Sequence, residues 1–79
     1  MPTLREARAA RVLTVRGLAE RAGVAFSTIH LIETGKSVPR FENVRKLSDA
    51  LGVDPHEIAE FAAAIEGASL GKGIAAGPV

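Results

Sequence analysis

The chain has no cysteine, which excludes disulfides and thiolate metal sites and leaves packing as the means of holding the fold. No stretch approaches the roughly 20 apolar residues of a membrane span. The first residues, Met-Pro-Thr-Leu-Arg-Glu, put charge where a secretory signal needs an apolar run, so the expected location is the cytoplasm. No segment alternates apolar and polar residues two by two, and no sheet is expected. No serine, histidine and aspartate fall together in a context that would form a pocket. A chain of 79 residues also has little room for a water-excluding cleft, so the expectation is a single small domain with no enzymatic activity and no cofactor.

What is present is an uneven charge distribution. The formal net charge of +1 by itself argues little for a polyanionic partner. Residues 1–46, however, carry nine basic side chains against four acidic ones, a local charge of +5, whereas residues 47–79 carry Lys72 against five acidic residues, a local charge of −4. Such polarity is expected when one end of a molecule meets a polyanion and the other does not.

Apolar spacing and helix punctuation divide residues 1–66 into five short helices. Thr3 caps the first, which runs to about Arg11 with Leu4 and Ala7 inward and Leu13 sealing its exit. Thr14 caps the second, whose Val15, Leu18, Ala19 and Ala22 form one stripe before Gly23 ends it. The third begins at Ala25 or Phe26 and ends at Thr34, with Gly35 at the left-handed position beyond it. The fourth covers roughly 41–51, with Phe41, Val44, Leu47, Ser48 and Leu51 marking its inner face and Gly52 its stop. Asp54-Pro55-His56-Glu57 reads as the start of the fifth: N-cap, proline at the first position, and a capping box closed by Glu57, followed by Ile58, Phe61, Ala62 and Ile65.

Residues 67–79 are rich in glycine and alanine, a composition that resists regular structure. They are expected to be a mobile tail or an arm that docks on a partner subunit through Leu70 and Ile74. Gly71-Lys72-Gly73 is no phosphate loop: the spacing back to Gly67 is one residue short, no serine or threonine follows the lysine, and no strand precedes it.

The second and third helices are joined by a short turn containing a glycine, the mark of a helix-turn-helix. Advancing 100° per residue puts Ile29, Ile32 and Glu33 on one side of the third helix and Ser27, His30, Leu31 and Thr34 on the other. The second set faces outward. It carries small polar groups, an imidazole and a leucine with few long charged side chains, a surface suited to contact.

With these residues in register, the sequence resembles the phage-repressor-like (Xre/Cro) helix-turn-helix family over about residues 4–65. The resemblance is carried by Leu4-Arg5 to Arg8, by Thr14 to Val24 with its Leu18-Ala19 and Gly23-Val24, by Ile29-His30-Leu31-Ile32-Glu33-Thr34-Gly35, by Pro39, and by Leu47 to Ala50-Leu51-Gly52-Val53. It implies an all-α, compact five-helix lambda-repressor-like domain over residues 1–66, bound as a dimer to double-stranded DNA with helix 3 in the major groove.

The family pattern makes Phe26, Ser27, His30 and Leu31 the base-contacting candidates. Where glutamine commonly reads adenine in relatives, this chain has Phe26, which offers apolar contact, for instance to a thymine methyl, or stacking. The other reading of Phe26 is a ring folded onto the core beside Val24 or Ile29. Arg16, Thr28, Lys36, Ser37, Arg40, Asn43 and Arg45 are the phosphate-contacting candidates, and free N–H groups at helix starts add to the attraction. Glu33 points inward, where a lone carboxylate is costly. The family's buried partner matches Arg8, and an Arg8–Glu33 ion pair is expected to tie helix 1 to the end of helix 3.

No metal site is expected. His30 and Glu33 are three apart but lie on different faces and lack a third ligand. His56 reads as a solvated histidine. Val53, Ile58, Phe61 and Ile65 are the expected homodimer interface, with a weak dimer or a monomer the outcome should Ile58, Phe61 and Ile65 all point inward. A dimer calls for a pseudo-palindromic operator with half-sites about 34 Å apart. The function expected is therefore a sequence-specific transcriptional regulator, most simply a repressor. The alternative is a protein-interaction module on the same scaffold, such as an antitoxin or adaptor, in which Phe26, Leu31 and the tail meet a partner protein.

Overall fold

A computed structural model describes residues 1–76, with side chains through Ala68. Its elements are α1 (Leu4–Ala10), α2 (Val15–Ala22), α3 (Phe26–Glu33), α4 (Phe41–Leu51), a 3-10 turn at Pro55–Glu57, and α5 (Ala59–Ala76). Among the described residues there is no strand.

Local chemistry explains most of the boundaries. The Thr3 hydroxyl accepts from the Glu6 N–H at 3.1 Å while the Glu6 carboxylate accepts from the Thr3 N–H at 2.8 Å, a complete capping box. Those bonds, the backbone one first, hold the Glu6 carboxyl below its ordinary value. A carboxyl whose folded-state pKa is lowered adds stability above its unfolded value and loses it as pH falls through the folded one. Glu6→Gln is therefore expected to melt below the parent at pH 7, with the gap closing by about pH 2, where both carry a neutral side chain. Thermal melts monitored by circular dichroism at the two pH values check this.

The exit of α1 holds an unforeseen feature. Val12 sits in the left-handed region at φ 55°, just past the C-cap, where glycine is the usual residue and a β-branched side chain is strained. It is 92% exposed, so its side chain contributes no core burial in return. Val12→Gly is expected to stabilise the domain by about 1 kcal/mol, the strain relieved exceeding the chain entropy that glycine adds to the unfolded state. Urea unfolding of the two proteins measures the difference.

The Thr14 hydroxyl accepts from the Gly17 N–H at 2.9 Å and starts α2. Gly23, at φ 70°, supplies the turn that aims α3 across α2. Its N–H and that of Val24 both donate to the Ala19 carbonyl, at 2.9 and 3.1 Å, and buried Val24 carries the chain back into the core.

The start of α5 differs from the sequence expectation. Asp54 caps the 3-10 turn, accepting from the His56 N–H at 2.8 Å, and Glu57 is the last residue of that turn, not part of a longer helix. Ile58 is extended at φ −106° and ψ 126°, which drops its side chain wholly into the core. The α-helix then starts at Ala59, whose N–H donates to the Pro2 carbonyl at 2.8 Å. Tertiary burial of one isoleucine outweighs the local start signal. His56 is exposed, as expected, with its ring Nδ1 2.9 Å from Asp54 Oδ1.

At its other end α5 runs to Ala76, ten residues beyond Glu66. Each glycine costs about 1 kcal/mol in a helix interior, but extension of an existing helix carries no nucleation cost. The side chains of Leu70 and Ile74, named as a docking arm, and residues Gly77 to Val79 lie outside the described set.

Leu4 and Ala7 of α1, Leu18 of α2, Ile29 and Ile32 of α3, Val44, Leu47 and Leu51 of α4, and Ile58 and Phe61 form one core. Ile58 and Phe61 are both 0% exposed. That corrects their assignment to a dimer interface, because the protomer's own core already covers them. Val53 is half-buried against the same core, and of the four only Ile65, also half-buried, opens into a surface groove. Phe41, expected inward, is 54% exposed; it lies one turn before Val44, past the reach of the core. Arg11 closes the assembly, its Nε donating to the Leu51 carbonyl at the end of α4 and its Nη1 to the Ala7 carbonyl. Among the described residues no helix is long and apolar enough to cross a membrane.

Candidate nucleic-acid interface

The turn at Gly23 leaves α3 with one face in the core and one in solvent. Ile29 and Ile32 are buried, while Phe26, Ser27, His30 and Leu31 are all exposed. All four base-contacting candidates thus share one surface. Phe26 stays outside the core cluster: its ring stacks on that of His30, four residues on, with centroids 6.3 Å apart and planes 4° from parallel. The Arg16 guanidinium, from the first turn of α2, lies 5.3 Å from the centre of the Phe26 ring. Three side chains expected to act separately form one continuous group. The i, i+4 spacing of Phe26 and His30 signals half of it; the Arg16 contact crosses between helices and has no local signature.

The phosphate-contacting candidates divide. Thr28, Ser37, Arg40 and Asn43 line a single cleft of about 170 Å³ between α3 and the start of α4, with Leu31, Ile32, Val38 and Pro39 completing its walls. Lys36 is exposed in the connecting turn, where its N–H and that of Ser37 both donate to the Leu31 carbonyl, at 2.9 and 3.2 Å. Arg16 is drawn to Phe26, as above. Arg45 is not brought to the cleft. It sits two residues past Asn43, about 200° round the helix, and lines a different groove with Phe41, Val44, Ser48, Asp49, Pro55 and Ile65.

Neither α3 nor α4 has a side-chain cap at its start. Their first N–H groups are therefore open to other acceptors, and the positive end of each helix dipole favours anions there.

Beneath this surface the end of α3 is anchored. Arg8 Nε donates to Glu33 Oε2 at 2.7 Å and Nη2 to Oε1 at 3.0 Å, while Nη1 donates to the Leu13 carbonyl at 2.8 Å. The Glu33 side chain is 2% exposed and that of Arg8 15%. The carboxylate bonds raise the Arg8 pKa further, so the guanidinium stays charged. Arg5 lies on its rim, 3.5 Å from Glu33 Oε1. With Glu33 held by Arg8 and His30 pointing outward, the two cannot share a cation, and the described residues hold no group of three or more potential metal ligands.

An exposed second helix of a helix-turn-helix, with a polar cleft and cations beside it, defines a nucleic-acid-binding class of domain. Comparison with known families agrees: the helix-turn-helix domain family matches residues 3–61, about three quarters of the chain. The chain belongs to the helix-turn-helix domain family, a DNA-binding class. No curated protein and no solved structure matches the chain.

Proposed function

We propose that this chain is a sequence-specific, double-stranded DNA-binding transcriptional regulator of the phage-repressor-like (Xre/Cro) type, acting as a repressor by occupying promoter DNA. In this reading α3 enters the major groove with Phe26, Ser27, His30 and Leu31 toward base edges, while Thr28, Lys36, Ser37, Arg40 and Asn43 hold the backbone. The observation that carries it is the exposure of that whole face of α3 directly beside a cleft that gathers Thr28, Ser37, Arg40 and Asn43.

A homodimer on a pseudo-palindromic site belongs to the same proposal. With Ile58 and Phe61 buried, the surface that supports it is the groove of Phe41, Val44, Pro55 and Ile65, flanked by Arg45 and Asp49. Those two charges are one helical turn apart, so a two-fold axis that reverses α4 sets the arginine of each copy opposite the aspartate of the other.

Selection of binding sites from random duplex DNA, repeated with His30→Ala and Arg40→Ala, tests the reading. The His30 variant should change base preference, and the Arg40 variant should weaken binding evenly across sequences. Recovery of the parent's motif at full affinity by both variants would overturn the assignment. Absence of any selected site, with salt-insensitive capture of a protein partner, would favour an antitoxin or adaptor instead.

A further inference from the structure

Arg16 was expected at a phosphate, yet its guanidinium rests on the face of Phe26. We propose that Arg16 is a base-reading residue positioned by Phe26, and that the two recognise adjacent bases in one strand: a pyrimidine carrying a 5-methyl group, thymine or 5-methylcytosine, next to a guanine. This rests on α3 being the helix that enters the major groove.

Three features of the site lead there. The Arg16 Cζ lies over the Phe26 ring, and the guanidinium it carries is a planar fork whose N–H groups match O6 and N7 of guanine. Cation–π attraction holds that fork against the first residue of α3, at the end of the helix that meets base edges, and away from the flexible excursions of a lone surface arginine. Phe26, in turn, has no hydrogen-bonding atom. Partly exposed at 45%, it can read only an apolar feature, and in the major groove that feature is the C5 methyl of a pyrimidine.

His30, lying parallel to the Phe26 ring, braces it from the next turn of the helix, so the aromatic surface is presented in one orientation.

The experiment uses the best duplex from random-sequence selection, with each thymine changed singly to uracil and each guanine to 7-deazaguanine. Affinities are measured by fluorescence anisotropy for the parent, Phe26→Ala and Arg16→Ala proteins, all with helical circular dichroism verified. For the parent, one thymine-to-uracil change should cost about fourfold in affinity per half-site, the value of one buried methyl. The neighbouring 7-deazaguanine should cost about tenfold, as expected for losing one partner of a bidentate contact.

The first penalty should vanish in Phe26→Ala and the second in Arg16→Ala. Cytosine at the thymine position should recover about fourfold on 5-methylation. The proposal is overturned by base-analogue penalties that are the same in parent and variants, or by an Arg16→Ala that weakens every duplex equally and flattens the salt response by about one unit, as loss of a phosphate contact does. Those results would leave DNA binding by α3 intact; failure of the parent to bind any duplex would remove both.

Discussion

Arg8→Ala is expected to cost about 3–5 kcal/mol of folding stability, because it strands a carboxylate in a nearly dry site. The Glu33 side chain is 2% exposed, and Arg8 satisfies both of its oxygens. In a domain whose whole stability is on the order of 5–15 kcal/mol, such a loss removes a large share of it. Glu33→Ala should cost less, since Arg8 keeps its bond to the Leu13 carbonyl and can turn toward solvent.

Replacing both with apolar residues of similar volume, Arg8→Met with Glu33→Leu, should recover most of the stability, because no charge is then left without a partner. Urea unfolding of the four proteins forms the double-mutant cycle. A loss below about 1 kcal/mol for Arg8→Ala would mean that the pair is no better than a surface salt bridge. The functional consequence follows from position. Glu33 is the last residue of α3, so the pair sets how that helix stands on α1.

The steep response to salt is the second large effect. In the proposed complex Lys36 and Arg40, with the uncapped starts of α3 and α4, would neutralise about three phosphates in each half-site. For a dimer the slope of log affinity against log salt should then lie near −5. Raising salt from 50 to 200 mM should weaken binding by about three orders of magnitude. Arg40→Ala should flatten the slope by about one unit per half-site. Anisotropy titrations at four or five salt concentrations give the slopes directly.

How far the sequence already contained this structure depended on the range of the interaction. Thr3, Thr14, Gly23 and Gly52 announce their helix ends because caps and left-handed turns involve only a few neighbouring residues. The two faces of α3 were equally legible, since period alone separates Ile29 and Ile32 from His30 and Leu31. Period does not say what covers an apolar stripe. Ile58, Phe61 and Ile65 repeat at helical spacing whether the cover is the same chain or a second copy, and only the fold assigns the first two to the core. The restart of the helix at Ala59 was hidden for a related reason: the local signal at Asp54 and Pro55 is genuine and yields a turn, but burial of Ile58 breaks the continuation.

Within the site, grouping was the harder problem. Asn43 and Arg45 are separated by helix geometry that the sequence does encode. The approach of Arg16 to Phe26 depends instead on the crossing of α2 and α3, and it changes the chemistry available to both. Val12 gave no warning, because nothing in Arg11-Val12-Leu13 marks a residue forced to positive φ.

The most direct test of the account is an amide NMR titration of the labelled protein with its selected duplex. The account predicts shifts concentrated at Phe26 to Leu31 on α3 and Lys36 to Asn43 along the cleft, with Ala59 to Ala64 on α5 little changed. Shifts confined to the α4–α5 groove, with Ser27 and His30 unmoved, would contradict it.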